Sequence, residues 1–466
     1  MTSYLHKDRL FPAEEKIRET AREIYSSIKE LPVISPHGHT DPSWYAGNIN
    51  FKNPAELFII PDHYLIRMLC SMGYSHAELG VPALDGTAYE KDPEKIWDIF
   101  AKNYYLFYGT PTRLWLDYIF SKIFEIDREL DESTAGYYFS VINEKLKSHE
   151  FRIRNLYKRF NIEVISTTDD PNSRLEEHKK IKSDWGERVI PCFRPDNVID
   201  PMHESFAAEV IKLGPDTFKY ENYLKALRDR REFFKEMGAV STDHGCLEPY
   251  TVEVSPVRMQ SLLDRGLART IDQKEAREFQ GQMLIEMARM SMDDGLVMQI
   301  HPGVYRNHSS LIFNRYGRDK GVDIPVETEY VRALRPLLER YGHEKGLKVI
   351  LFTLDDTRYT RELAPLAGYY PVLKLGPAWW FNDSPEGMMR FRVSVTETAG
   401  FYNTVGFNDD TRAFLSIPAR HDMARRIDAS FLARLVTEHR LGMEHAKKVA
   451  KDLAYNIPKE SYNLQG

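Results

Sequence analysis

From about Ala13 to Leu31 the apolar residues Ile17, Ala21, Ile24, Tyr25 and Ile28 recur at helical spacing with charges opposite, which predicts an amphipathic leading helix. The helix runs into Pro32-Val33-Ile34-Ser35, read as a short buried strand. The next β-rich run is Ile162-Glu163-Val164-Ile165-Ser166. Between them lie aromatic-rich stretches at 64–72, 93–108, 113–126 and 135–146, which read as a helical insertion. Beyond residue 162, apolar runs at 162–168, 189–193, 239–242, 296–300, 348–354, 371–375 and 402–407 alternate with helical periodicity at 218–237, 274–292, 329–341 and 384–398. A further helix is expected to open near Asp170-Pro171-Asn172. With Val33 to Ser35 this makes eight strands, most followed by a helix, the count of a closed (β/α)8 TIM-like barrel. The rival is an open doubly wound sheet, but no glycine-rich phosphate loop follows any strand. The resulting division is 1–40 for the leading helix and first strand, 41–160 for the insertion, and 161–466 for the rest of the barrel with C-terminal helices.

Composition narrows the partners. The 466 residues suit one large barrel with an insertion. A net charge of −6 with interspersed signs gives no basic surface for nucleic acid or anionic membrane, so a small molecule is the expected partner. Cys70, Cys192 and Cys246 are odd in number and far apart, the pattern of free thiols in a reducing compartment. The charged N-terminal stretch shows no signal peptide or membrane anchor, so a soluble cytoplasmic protein is expected. Self-assembly into a homo-oligomer is left open.

Barrel enzymes carry their chemistry at the C-terminal ends of the strands. Here those ends are polar: His37 and His39; Thr167-Thr168-Asp169-Asp170; Arg194; Asp243-His244; His301 with Arg306 and Asn307; Asp355-Asp356; Trp379-Trp380-Phe381-Asn382-Asp383; and Asn408-Asp409-Asp410-Thr411-Arg412. In an extended chain His37 and His39 point the same way and can share a metal ion. An acid on the last strand would join them when the barrel closes, because strand eight then neighbours strand one. Two imidazoles and one carboxylate leave coordination positions open, as a catalytic metal requires. Arg194 and Arg412 are suited to bidentate recognition of a carboxylate. Plainer readings stand beside these: Asp169, Asp170, Asp355 and Asp356 as helix N-caps, Trp379 and Trp380 as packing residues, His244 and His301 as structural histidines, and Asp410 with Arg412 as a helix-start salt bridge.

The segments Pro36-His37-Gly38-His39, Asp62-His63-Tyr64, Ser166-Thr167-Thr168-Asp169-Asp170-Pro171, Phe193-Arg194-Pro195-Asp196, His301 with Arg306-Asn307, Trp379-Trp380-Phe381-Asn382-Asp383 and Asp409-Asp410-Thr411-Arg412-Ala413-Phe414-Leu415-Ser416 resemble the uronate (glucuronate) isomerases of the amidohydrolase superfamily. The resemblance runs from about residue 5 to 462. It implies interconversion of aldose and ketose hexuronates, D-glucuronate with D-fructuronate and D-galacturonate with D-tagaturonate. It implies one divalent metal, zinc by expectation, on His37, His39 and Asp410, with His301 as a further ligand or a substrate contact. Arg194, Arg412, His301, Arg306, Trp379 and Trp380 would bind substrate. Proline at 302 departs from the family pattern and bears on which uronate is preferred.

Without a nicotinamide-binding loop, a proton route through a cis-enediol is favoured over hydride transfer. On the resemblance Asp410 is the expected base, and Tyr64 a donor to the carbonyl oxygen or a packing residue. Two alternatives are a mononuclear metal-dependent hydrolase of the same superfamily and a non-catalytic sugar-acid binding protein. Hydrolases of that superfamily commonly add a lysine or carboxylate from strand four and a histidine from strand six. No lysine stands at the end of strand four, and strand six ends in Phe352-Thr353-Leu354-Asp355 without a histidine.

Overall fold

A computed structural model describes residues 5–464. Seven parallel strands lie side by side in chain order: β1 (Val33–Ser35), β2 (Ile162–Ser166), β3 (Arg188–Ile190), β4 (Ser241–Cys246), β5 (Val297–Pro302), β6 (Val349–Leu351) and β7 (Leu373–Leu375). Single parallel bridges from Phe193 to Asp169 and Thr242 carry the ladder from β2 and β3 across to β4. The eighth position is reduced to one bridge between Leu375 and Thr404, so the apolar run at 402–407 forms no extended ladder strand. The Thr404 N–H turns back to the Phe401 carbonyl there, so the segment bonds to β7 only around Leu375, whose N–H donates to the Asn403 carbonyl and whose carbonyl accepts the Val405 N–H. The ring is drawn together above this point, where the His39 N–H donates to the Thr411 carbonyl at 3.0 Å. The architecture is the expected (β/α)8 barrel.

Alternation along the strands sorts the core into two layers. Ile34, Val164, Ile190, Val297, Ile350 and Val405 point inward into one buried cluster that Tyr462 and Leu464 close from the C-terminal segment. The Tyr462 hydroxyl donates to Gln299 Oε1 at 2.9 Å inside the barrel. Val33, Ile165 and Val189, one residue out of phase, pack outward against helices. Both faces being buried explains why these strands read as near-continuous apolar runs.

Among the described residues every regular element between β1 and β2 is helical. Its core holds Trp97, Phe100, Tyr104, Phe120 and Tyr138, in edge-to-face and tilted ring pairs. Strand β4 starts two residues later than its apolar run and continues through Asp243 to Cys246, because pairing with β5 extends past the hydrophobic stretch. The helix after β2 begins at Glu176 rather than near Asp170; Asp170 instead accepts the Asn172 N–H in a tight turn. Among the described residues no helix is long and apolar enough to cross a membrane.

Candidate active site at the C-terminal rim of the barrel

The chain leaving β1 is fastened on both sides. Thr168 Oγ1 donates to the Gly38 carbonyl at 2.8 Å, and the His39 N–H holds Thr411. These bonds bring His37 Nε2 to 3.5 Å and His39 Nε2 to 3.0 Å from the same atom, Asp410 Oδ1. Ligands about 2.0–2.1 Å from a tetrahedral ion are about 3.3 Å apart, so this trio has the spacing of donors sharing one ion. Asp410 takes a left-handed backbone, φ 39°, to aim its carboxylate there. Burial drives the His37 pKa down to about 4, against the pull of Asp410 and Asp243, so the imidazole is neutral at pH 7, the form that ligates. Burial alone would raise Asp410, yet His37 and His39 hold its carboxyl well below the usual range. The group can therefore hold a divalent ion.

His301 lies beside the trio, its ring stacked between those of His37 (4.7 Å between centroids) and Phe352 (3.9 Å). His301 Nδ1 and Asp243 Oδ1 are 2.6 Å apart; with the proton on Nδ1, Nε2 keeps a lone pair, and it has no protein partner although buried. His37, Asp243 and His301 form a second cluster of ligand-type atoms overlapping the first. Asp243 is fully buried and also accepts from Arg194 Nη1 at 2.9 Å. Burial opposes its charge, but Arg194 and His301 hold it well below the carboxylate range. Arg194 Nε donates to Asp196 at 2.8 Å. Gly245 makes this pairing fit: a Cβ there would stand 2.7 Å from Asp196 Oδ2 and 2.8 Å from Arg194 Nη2.

Arg412 pairs with Asp319 at 3.0 Å rather than with Asp410. Arg306 reaches Asp323 at 3.0 Å and lies over the Trp380 ring at 5.4 Å. Trp380 meets His63 edge-on at 5.1 Å, and Trp379 packs on His301 at 4.7 Å. The half-buried Asp62 carboxylate caps the helix His63–Ser71 by accepting the Tyr64 and Leu65 N–H groups, which delivers His63 and Tyr64 in its first turn. Burial drives the His63 pKa to about 3, aided by Arg412, so this ring is neutral. The Tyr64 hydroxyl donates to Asp383 at 2.8 Å.

His37, His39, Tyr64, Arg194, His301, Arg306, Trp379, Trp380, Asp410 and Arg412 all line one cavity of about 1280 Å³. Asp355 and Asp356 do not: Asp355 accepts the Thr357 N–H and pairs with Arg358, and Asp356 pairs with Arg390. Neither serves as a helix N-cap, since the following helical segment opens at Tyr359. His244 also lines the cavity, bonded to Thr242 Oγ1 at 3.0 Å. Sequence reasoning assigned no role to His63, Asp243, Asp319, Asp383 or Arg420, which also line it. The Asp62-His63-Tyr64 block, the Asp243-His244 pair and the acid that ends Trp-Trp-Phe-Asn-Asp were signals for three of them; Arg420, in the first turn of the helix Ile417–Thr437, had none.

The family model described as glucuronate isomerase matches residues 1–462. The curated uronate isomerase of Phenylobacterium zucineum is 56% identical over 465 residues, covering 99% of this chain and 97% of that one. The crystal structure of glucuronate isomerase from Caulobacter crescentus superimposes with a TM-score of 0.97 at 52% identity, covering 99% and 97% of the two chains. That of the uronate isomerase from Thermotoga maritima does so with a TM-score of 0.91 at 28% identity, covering 98% and 99%.

Proposed function

Since the chain belongs to the glucuronate isomerase family and is an aldose-ketose isomerase of uronates, we propose that it interconverts D-glucuronate with D-fructuronate and D-galacturonate with D-tagaturonate by proton transfer through a cis-enediol. The observation that carries this reading is the meeting of His37, His39 and Asp410 in a cavity that also contains Arg194 and Arg412. The donor set of two imidazoles and one carboxylate fits zinc, which when bound would supply Lewis acidity to the substrate oxygens.

The remaining work falls to the chain's own groups. Arg194 and Arg412 receive the anionic end, and Arg306, His301, Trp379 and Trp380 wall the sugar. Asp410 takes the proton from C2 and returns it to C1; as this happens O1 gains a proton and O2 loses one. Tyr64 exchanges a hydrogen bond with one of those oxygens. Residues 41–160 serve as an insertion that presents His63 and Tyr64 to the barrel rim. The three free cysteines support a reducing, cytoplasmic setting.

The test is conversion of a panel of hexuronates by the purified, metal-loaded protein. Failure to convert any of them would overturn the reading. Substrate deuterated at C2, converted in ordinary water, probes the route: solvent hydrogen at C1 of the ketose supports the enediol with proton exchange, and complete retention of deuterium in every condition leaves hydride transfer or a fully shielded proton transfer.

A further inference from the structure

Tyr64 belongs to a buried chain of groups that contains more than a sugar contact needs. Its hydroxyl donates to Asp383 Oδ1 at 2.8 Å and accepts the Phe381 N–H at 3.3 Å. The other oxygen of Asp383 accepts from Arg420 Nη1 at 2.7 Å. Arg420 is itself fixed by Ser416 Oγ at 3.1 Å and lies flat on Trp115, 3.5 Å from the ring centroid. Asp383 and Arg420 are both buried, with side chains 11% and 6% exposed. The turn that carries this acid is strained, because Phe381 adopts φ 64°, a left-handed conformation that is uncommon for a bulky residue. That strain aims the Phe381 N–H at the phenol and sets Asp383 beside it.

A phenol has one proton, and here an ion-paired carboxylate takes it in a hydrogen bond. One lone pair accepts the Phe381 N–H. The direction left to Tyr64 is a lone pair, so toward the cavity the residue is an acceptor. We propose that Asp383, held by Arg420, is a positioning residue of the isomerisation: it orients the Tyr64 phenol to receive a hydrogen bond from a substrate hydroxyl instead of donating one to the carbonyl. No proton need leave Tyr64 for this role. The inference rests on Tyr64 acting in the reaction as read above.

A double-mutant cycle on the metal-loaded enzyme tests it. Tyr64→Phe is expected to lower kcat/KM by about 100-fold, and Asp383→Asn by 10-fold or more with the protein still folded by thermal melting. The double variant is expected to match Tyr64→Phe, because Asp383 acts only through the phenol. If the two losses multiply, or if folded Asp383→Asn keeps wild-type kcat/KM, the positioning role is wrong. If Tyr64→Phe itself is unimpaired, the earlier assignment of Tyr64 fails, and the inference falls with it. Should Asp383→Asn fail to fold, Asp383→Glu runs the same cycle, since it keeps a charge for Arg420 but shifts the carboxylate from the phenol; the same outcomes decide.

Discussion

Asp169, past the end of β2, is a largely buried acid, and its one ion-pair partner among the described residues, His178, is kept neutral by burial. Its Oδ2 accepts from the Thr167 hydroxyl at 2.7 Å, and His178 Nε2 lies 3.8 Å away and 2.8 Å from that hydroxyl. Burial raises the Asp169 pKa from 3.8 to about 7, and burial lowers that of His178 to about 4. A raised folded-state pKa means that the acid favours folding most at pH values below its unfolded pKa, and that this contribution is lost as pH rises through 7. At about 1.4 kcal/mol per pKa unit, the penalty of folding with Asp169 is roughly 1.5 kcal/mol at pH 5 and roughly 4 kcal/mol at pH 8. Asp169→Asn removes it. Urea unfolding of both proteins at the two pH values should therefore give a stability difference that moves in favour of the variant by about 2–3 kcal/mol between pH 5 and pH 8. Comparing the two at each pH cancels His178 and the other titrating groups to first order. A difference independent of pH, or one that moves against the variant, would refute the assignment of burial as the dominant effect on Asp169.

Three further outcomes follow from the site. In His37→Ala plus His39→Ala, bound metal measured by elemental analysis of the folded protein should fall to trace levels, since both clusters of ligand atoms lose His37, and Asp410 and His301 are too few donors to retain the ion; unchanged content removes the metal assignment. Arg194→Met should destabilise the protein by about 3–5 kcal/mol, because Asp243 stays buried with one partner fewer. It should also weaken uronate binding by about 2–5 kcal/mol, measured by calorimetry, and equal weakening of neutral hexoses would show the arginine to be structural. Gly387→Ala places a Cβ 2.1 Å from the Asn382 carbonyl oxygen, so the helix Pro385–Ala399 must move off the turn that carries Asp383. The expected cost is about 1–3 kcal/mol, read as a lower melting temperature with reduced turnover; an unchanged melting temperature would show that this contact relaxes freely.

The sequence alone determined the barrel and the residues at its rim. Strand runs buried on both faces and helices with one apolar stripe are local patterns, so β1, β2, β5 and the helix Gln273–Asp294 were legible within a few residues. The weakest case was the eighth strand, because residues 402–407 carry the right composition but pair with β7 only around Leu375, where the Thr404 N–H turns back to Phe401. Residue type also nominated His37, His39 and Asp410, since few side chains can ligate a metal. The partnerships were decided by tertiary structure. Arg194 with Asp243 spans 49 positions, His301 with Asp243 spans 58, and Tyr64 with Asp383 spans 319. A hydrogen bond depends on where two atoms lie to within a few tenths of an ångström, and that distance is fixed by the packing of whole elements. The sequence could therefore supply Tyr64 and Asp383 as polar residues in two motifs, but only the fold makes the acid accept the phenol's hydrogen bond.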